Sequence, residues 1–300
     1  MEQIDFLKYM ESFLSALKTE KNYSIHTLKN YEADLKMFHD FINKNFRGIK
    51  TKDIKKSHIR NYMAFLYKKK YAGSTVQRKT ASLRSFFNYL FKNNIIDKHP
   101  GTEISAPGKQ KNIPSWIGID DMFFFLDSIA CDTWLNSRNR AVFELMYSTG
   151  VRVSELVGLN IDDVDFKGFI KVRGKGRKER ILPVGQSAMK YLNIYLEFLE
   201  NDLTLISRDY PLFLNRFKKR ISDRSIRRIL DNLIKKAGLH FKTSPHKIRH
   251  SFATHMLDNG ADLRFVQEFL NHKSLSTTQK YTHVTMDRLM EIYDNSHPRN

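Results

Sequence analysis

The chain is 300 residues long and carries a formal charge of +19, with 51 Lys and Arg against 32 Asp and Glu. Its 41% hydrophobic and 28% charged residues suit one large or two ordinary globular domains, and nowhere does it hold the ~20 uninterrupted apolar residues that a membrane-spanning helix needs. The single cysteine, Cys131, excludes an internal disulfide and the cysteine pairs of a structural zinc site.

The first residues, MEQIDFLKYMESFL, place acids where a secretory signal has bases and continue as an amphipathic run, which predicts a cytoplasmic chain. A strongly positive body attracts polyanions. The bases are scattered along many segments and not gathered beside an apolar anchor, so nucleic acid is the expected partner and a membrane surface is not.

From the amino terminus, apolar residues recur at steps of three and four: Ile25, Leu28, Tyr31, Leu35, Phe38, Phe41 and Ile42, then Val76, Leu83, Phe86, Phe87 and Leu90. An all-helical domain over 1–97 is predicted, with helices at about 2–19, 24–46, 55–70 and 74–93. Ser24 and Ser74 are the expected N-caps, and Gly48 and Gly73 the expected stops. Residues 41–100 carry fifteen Lys or Arg against two acids, Asp53 and Asp97, which makes one side electropositive. On the last helix Gln77, Arg78, Lys79 and Arg84 interrupt the aromatic stripe, as they would if one face packed and the other met a duplex. A merely solvated face accounts for any one of them equally well.

Residues 98–115, with three prolines, two glycines and no apolar period, read as a linker. The second domain, 116–300, opens with helical patterns near 119–130 and 137–149. FIKVRGKGRKERILPV (169–184) then reads as a basic β-hairpin around Gly174-Lys175-Gly176. Helical patterns return at 187–201, 222–237, 245–258, 262–270 and 284–293. The fold class is mainly α with a small antiparallel sheet in the second domain.

There is no P-loop for a nucleoside triphosphate, no complete dinucleotide fingerprint around the Gly-Lys-Gly turn, and no His-Glu-x-x-His. The acids Asp162, Asp163 and Asp165 crowd one turn, where solvating a loop is the better reading than holding a metal. Neither a cofactor nor a metal is expected.

Chemistry gathers in SPHKIRHSFATHMLDNG (244–260), where Ser244 caps a helix, Pro245 opens it and Gly260 follows its end. His246 in the first turn and Arg249 three residues on share a face suited to an anion. His250 joins that face, or pairs with His246 on a metal, or supports the fold; a hydrogen-bonded core histidine is the plain alternative for each. In TGVRVSEL (149–156), Arg152 follows the stop Gly150 and precedes Glu155 by three, a spacing that can hold a guanidinium in place. LNHKSLSTTQKYTHV (270–284) adds His272 and Tyr281, a tyrosine that alone would read as core or surface.

Together these residues resemble, in type, order and spacing, the carboxy-terminal signature of the tyrosine recombinases, the integrase family of site-specific DNA recombinases. The resemblance spans nearly the whole chain. TGVRVSEL, GKGRKER, HKIRHSFATHML, LNHKSLSTTQKYTHV and the final HPR are similar to the Xer recombinases of bacteria and archaea. It implies a SAM-like core-binding domain before the linker and a catalytic domain after it. Its active site would be Arg152, Lys175, His246, Arg249 and His272, with Tyr281 as nucleophile and Glu155 in support. Asn271 stands where the family usually has glycine, and Asn tolerates the left-handed backbone that such a turn requires.

Attack of a phenol on a phosphodiester builds negative charge on the non-bridging oxygens, which two fixed guanidinium groups are suited to meet. In this scheme His246 takes the phenol proton, Lys175 protonates the departing 5′-oxygen, and His272 hydrogen-bonds the phosphate. The resulting 3′-phosphotyrosine keeps the bond energy, so strands rejoin without ATP or metal. Expected DNA contacts are Gln77, Arg78, Arg84, Arg173, Arg177, Lys178, Arg220, Arg224 and Arg227, the last three within the run 216–228, which holds seven bases to one acid. The two domains are expected to grip the duplex from opposite sides.

The resemblance further implies a homo- or hetero-tetramer on two synapsed sites. Met286, Leu289, Met290, Ile292 and Tyr293 are the expected docking face of a terminal helix on its neighbour, an ordinary intramolecular helix being the alternative. Chromosome-dimer resolution is the expected task, and a septal DNA translocase is admitted as a further partner. A mobile-element integrase or plasmid resolvase is the alternative within the family, and a catalytically idle DNA-binding protein the alternative outside it.

Overall fold

The computed structural model describes residues 3–20, 23, 25–46, 48–101, 116–174, 179–202, 209–241, 243–270 and 283–299. The chain forms two compact units, Met1–Ile113 and Pro114–Asn300. Of the segment 98–115 read as a linker, 102–115 lies outside the described residues.

The first unit is helical: α1 (Gln3–Thr19), α2 (Ile25–Asn45), α3 (Lys56–Lys68) and α4 (Gly73–Lys92). The three-and-four spacing of its apolar residues buries Leu35, Phe38, Tyr62, Leu66, Val76, Phe86, Phe87 and Leu90 in one core. Phe38 meets Tyr62 edge-on with ring centroids 5.1 Å apart.

Two local expectations are corrected here. Gly73 opens α4 instead of stopping α3, and Ala72, not Ser74, precedes the first turn, its carbonyl accepting from Thr75 N and Val76 N. A glycine costs little there, because the first N–H groups of a helix lack intrahelical partners in any case. The left-handed stop after α3 is Lys70, at φ 58°. The other expected cap, Ser24, lies outside the described residues.

Lys79 does not face outward with its neighbours. It is buried and donates to Asp34 Oδ1 at 3.0 Å, while Ser82 Oγ donates to Oδ2 at 2.9 Å and the Arg78 guanidinium binds the same oxygen. Asp34 is 1% exposed, and a carboxylate withdrawn from water must collect donors.

The second unit runs α5 (Ile119–Asp127), α6 (Trp134–Thr149), α7 (Val153–Gly158), β1 (Val164–Asp165), β2 (Phe169–Arg173), β3 (Glu179–Pro183), α8 (Gln186–Asp202), α9 (Asp223–Lys236), α10 (Pro245–Asp258), α11 (Leu263–Phe269) and α12 (His283–Ser296). Its sheet is antiparallel in the order β1-β2-β3, with Ile170 opposite Leu182 and Arg173 opposite Glu179. α6 is the central rod, buried from Ser137 to Thr149 apart from Asn139, and packs on α8 and α10. Thr133 caps it by accepting from Asn136 N, which starts the helix a turn earlier than its apolar pattern implies. α10 begins and ends where its cap and its proline place it, with Ser244 Oγ accepting from Lys247 N.

α12 docks on its own unit. Tyr293 is fully buried, its hydroxyl hydrogen-bonds Ser148 Oγ at 2.7 Å, and Leu289 and Met290 pack on the same core. The expectation that Tyr293 belongs to a face offered to a neighbouring protomer is therefore corrected: its ring stacks with Phe269 and with His297 of the same chain. The side chain of Met286 lies outside the described residues.

The final HPR anchors this arrangement. Arg299 binds Asp127 and Glu144 and lies 4.9 Å from the centre of the Phe123 ring. His297 Nε2 donates to Tyr147 O at 3.3 Å, and its Nδ1 accepts from Arg299 N at 3.1 Å, a pattern only the neutral ring satisfies. Burial pushes its pKa down to about 4. Between the ordinary value near 6.5 and 4 the unfolded chain binds the proton and the folded chain does not, so stability is present above pH 6.5 and is lost as pH falls to 4, by about 3 kcal/mol. Thermal melts from pH 6.5 to 5 are expected to show a steeper loss for the native chain than for His297→Phe; parallel curves would refute the assignment.

Candidate active site

Three elements bring the polar groups together. α6 ends at Gly150, held at φ +56°, and the chain turns through Val151 into α7, whose N-cap is Arg152. Glu155, one turn later, accepts from Arg152 N and from Arg152 Nη1, both at 2.9 Å. The three-residue spacing thus fixes Arg152 at both its backbone and its side chain.

α10 supplies the second guanidinium. Arg249 is buried and donates through Nη1 to Gly150 O and through Nη2 to Leu270 O, which ties the end of α6 and the residue after α11 to α10. Burial and the nearby positive charge of Arg152 push its pKa down to about 10, so it remains a cation at neutral pH. His246 and His250, on the same helix, are exposed. His255, further along α10, has a structural place: it is buried, with Nδ1 hydrogen-bonded to Tyr147 OH at 2.8 Å.

Arg180 on β3 was not singled out by sequence. It grips Glu155 with two donors, Nη1 to Oε1 at 3.0 Å and Nη2 to Oε2 at 2.9 Å. The signal lies in strand alternation, which puts a cation in phase with buried Leu182. Burial pulls the Glu155 carboxyl up, but the hydrogen bonds and charge of Arg180, with those of Arg152, outweigh it and hold the group below the usual carboxylate range. Arg152 and Arg180 thus hold a single ionised acid, and Arg249 lies within reach of its charge. Such a cluster suits an anion with several oxygens, such as a phosphodiester gathering charge.

Lys175, Arg177, Lys178, His272 and Tyr281 lie outside the described residues. Among the expected DNA contacts, Arg224 and Arg227 are exposed on α9 with no ion pair among the described residues, and Arg84 is exposed on α4 beside an open hollow of about 440 Å³. Gln77 is half-buried. Arg78 serves Asp34, and Arg173 pairs with Asp163 and Glu179 at 3.2 and 3.1 Å. Arg220 is exposed and also has a structural task. It donates to Val157 O and Leu159 O at 2.9 Å and to Asn160 Oδ1 at 2.6 Å, satisfying carbonyls at the end of α7. In the acidic turn, Asp163 accepts from Asn160 N and Asp165 from Lys167 N.

Gly150 admits no side chain. A Cβ there would lie 2.5 Å from Phe252 Cδ1 and 2.9 Å from Leu270 Cδ2, on a left-handed backbone besides. Gly150→Ala is expected to lower stability by at least about 2 kcal/mol in denaturant titration. It is also expected to reduce strand cleavage at a permissive temperature, because the carbonyl that Arg249 grips must move.

Two profiles match the chain: "Phage integrase family" over residues 126–288, and "Phage integrase, N-terminal SAM-like domain" over residues 10–94. The chain is 43% identical over 294 residues to the tyrosine recombinase XerC of Thermodesulfovibrio yellowstonii, covering 97% of this chain and 96% of that one. It is 43% identical over 301 residues to the XerC of Halalkalibacterium halodurans, covering 97% and 98%. Among solved structures, XerH site-specific recombinase bound to a palindromic difH substrate in a post-cleavage complex superposes with a TM-score of 0.70 at 26% identity, over 94% of this chain and 83% of that one. The chain belongs to the phage integrase family, within which its relatives are the Xer tyrosine recombinases. It is a site-specific recombinase that cleaves and rejoins DNA.

Proposed function

We propose that the enzyme cuts DNA by attack of Tyr281 on a phosphodiester held between Arg152 and Arg249, leaving a 3′-phosphotyrosine. The observation that carries this reading is the meeting of α7 and α10 at the end of α6, where Arg249 binds the carbonyl of Gly150, two residues before Arg152, whose guanidinium Glu155 holds. His246 takes the phenol proton, Lys175 gives one to the 5′-oxygen, and His272 steadies the phosphate. The 5′-hydroxyl of another strand then reverses the step, which restores the phosphodiester and frees the tyrosine. Exchange between strands calls for four protomers on two synapsed sites, and the task proposed for this enzyme, whose relatives are XerC recombinases, is the resolution of chromosome dimers in the cytoplasm, with a septal DNA translocase as activating partner. DNA-site binding is supported by the fold shared with XerH on its difH substrate.

The test is covalent trapping on a nicked half-site. The expected product is a denaturant-resistant protein–DNA adduct, formed in chelator, whose DNA-bearing peptide contains Tyr281. A gel shift erased by denaturant would identify a binding protein, and free ends lost in chelator would identify a metal nuclease.

A further inference from the structure

Glu155 receives four hydrogen bonds, two on each oxygen. Arg152 supplies one from its backbone and one from its side chain, and Arg180 supplies one to each oxygen, all at 2.9–3.0 Å. That fills the ~4 acceptor positions a carboxylate has. All four bonds together require the ionised form, yet the carboxyl is buried, and burial favours the neutral acid. Arg152, by contrast, is more than a third exposed and is steadied through Glu155.

Stability alone gives little reason for Arg180. Its side chain is nine-tenths buried on the inner side of β3, and its Nε is buried without a hydrogen-bond partner among the described residues. Buried ion pairs are often replaced by packed apolar residues without loss of stability, and an orphaned donor adds to the cost of keeping one.

We propose that Arg180 is a positioning residue for strand cleavage: it keeps Glu155 ionised and oriented, and Glu155 in turn aims the Arg152 guanidinium at the scissile phosphate. The proposal rests on the reading of Arg152 as a phosphate-holding group. When Arg180 is removed, burial prevails and Glu155 takes up a proton. An O–H then points at the Arg152 donors, and the guanidinium is released to solvent. The phosphate loses an oriented partner, while the remaining phosphate contacts still hold the DNA.

The experiment compares the full-length native chain with Arg180→Met, measuring single-turnover cleavage of a nicked half-site from pH 6 to 9 and DNA binding in parallel. Arg180→Met is expected to cleave about 100-fold more slowly at pH 7, the scale of a misplaced catalytic group, with DNA affinity changed by less than about threefold. The ratio of variant to native rate is expected to climb with pH, because deprotonation of Glu155 restores the grip on Arg152. Glu155→Gln is expected to be slow without that climb, and the double variant no slower than Glu155→Gln alone.

Arg180→Lys, which keeps the charge but not the fork, is expected to fall between and serves if the methionine variant does not fold. A rate ratio flat with pH, or losses that multiply in the double variant, would overturn the proposal. Arg152→Gln separates the two readings: if it cleaves at the native rate, the phosphate-holding role of Arg152 fails, whatever Arg180 does.

Discussion

Tyr281→Phe is expected to bind the recombination site like the native chain and to yield no covalent adduct, with cleavage lower by about 10⁴-fold or more. The two side chains differ by one oxygen, and in the proposed mechanism that oxygen is the nucleophile. A phenol ordinarily ionises near pH 10, so at neutral pH the attack depends on a nearby proton acceptor and a positive field. Without the phenol, both have nothing to act on. Raising the pH should therefore recover none of the loss, which separates this variant from Arg180→Met. Filter binding and a denaturing gel on the same samples check both halves of the expectation, and an adduct formed by Tyr281→Phe would move the nucleophile elsewhere.

Arg249→Ala is expected to lower cleavage by about 10²–10³-fold and also to weaken the fold. The first effect follows from losing a fixed donor to the developing phosphate charge. The second follows from the Gly150 and Leu270 carbonyls, which Arg249 satisfies inside the protein. Left unpaired, two buried acceptors cost about 2–4 kcal/mol together, which is roughly 5–15 °C in a domain of this size. Arg249→Lys keeps the charge but not the planar fork, so it should recover part of the stability and little of the rate. Because burial leaves the Arg249 pKa at about 10, its cationic contribution is complete below pH 9 and declines only as pH rises through 10. A melting temperature unchanged in Arg249→Ala would show that the two carbonyls find other partners.

Much of this architecture is local chemistry and so was open to reading. Ser244 and Pro245 specify the start of α10, and the stripe from Leu35 to Ile42 specifies the buried side of α2. The hairpin followed from a change of period around Gly174-Lys175-Gly176, with Phe169–Arg173 and Glu179–Pro183 paired on either side.

What escaped is non-local. Lys79 and Arg78 look like neighbours of Arg84 until Asp34, more than forty residues earlier, is folded beneath them. Arg220 looks like part of a basic run until the end of α7 presents three oxygens to it. Tyr293 looks like an apolar stripe facing outward until Ser148 meets its hydroxyl. Composition fixes how much positive charge the surface shares, but not which charges are already answered from within. The site divides the same way: Arg152 and Glu155 are three residues apart and were paired from sequence, whereas Arg180 reaches Glu155 across twenty-five residues.

The bonds of Arg249 to Gly150 and Leu270 also bear on how the enzyme is controlled. The direction of this guanidinium is set by the chain's own carbonyls, so half of the proposed phosphate cradle owes nothing to substrate for its shape. Regulation that leaves those two bonds intact must act at another step, and the remaining candidates are the arrival of the nucleophile and the meeting of the DNA sites. An activator of this recombinase would then be a matter of timing, not of building the catalytic pocket.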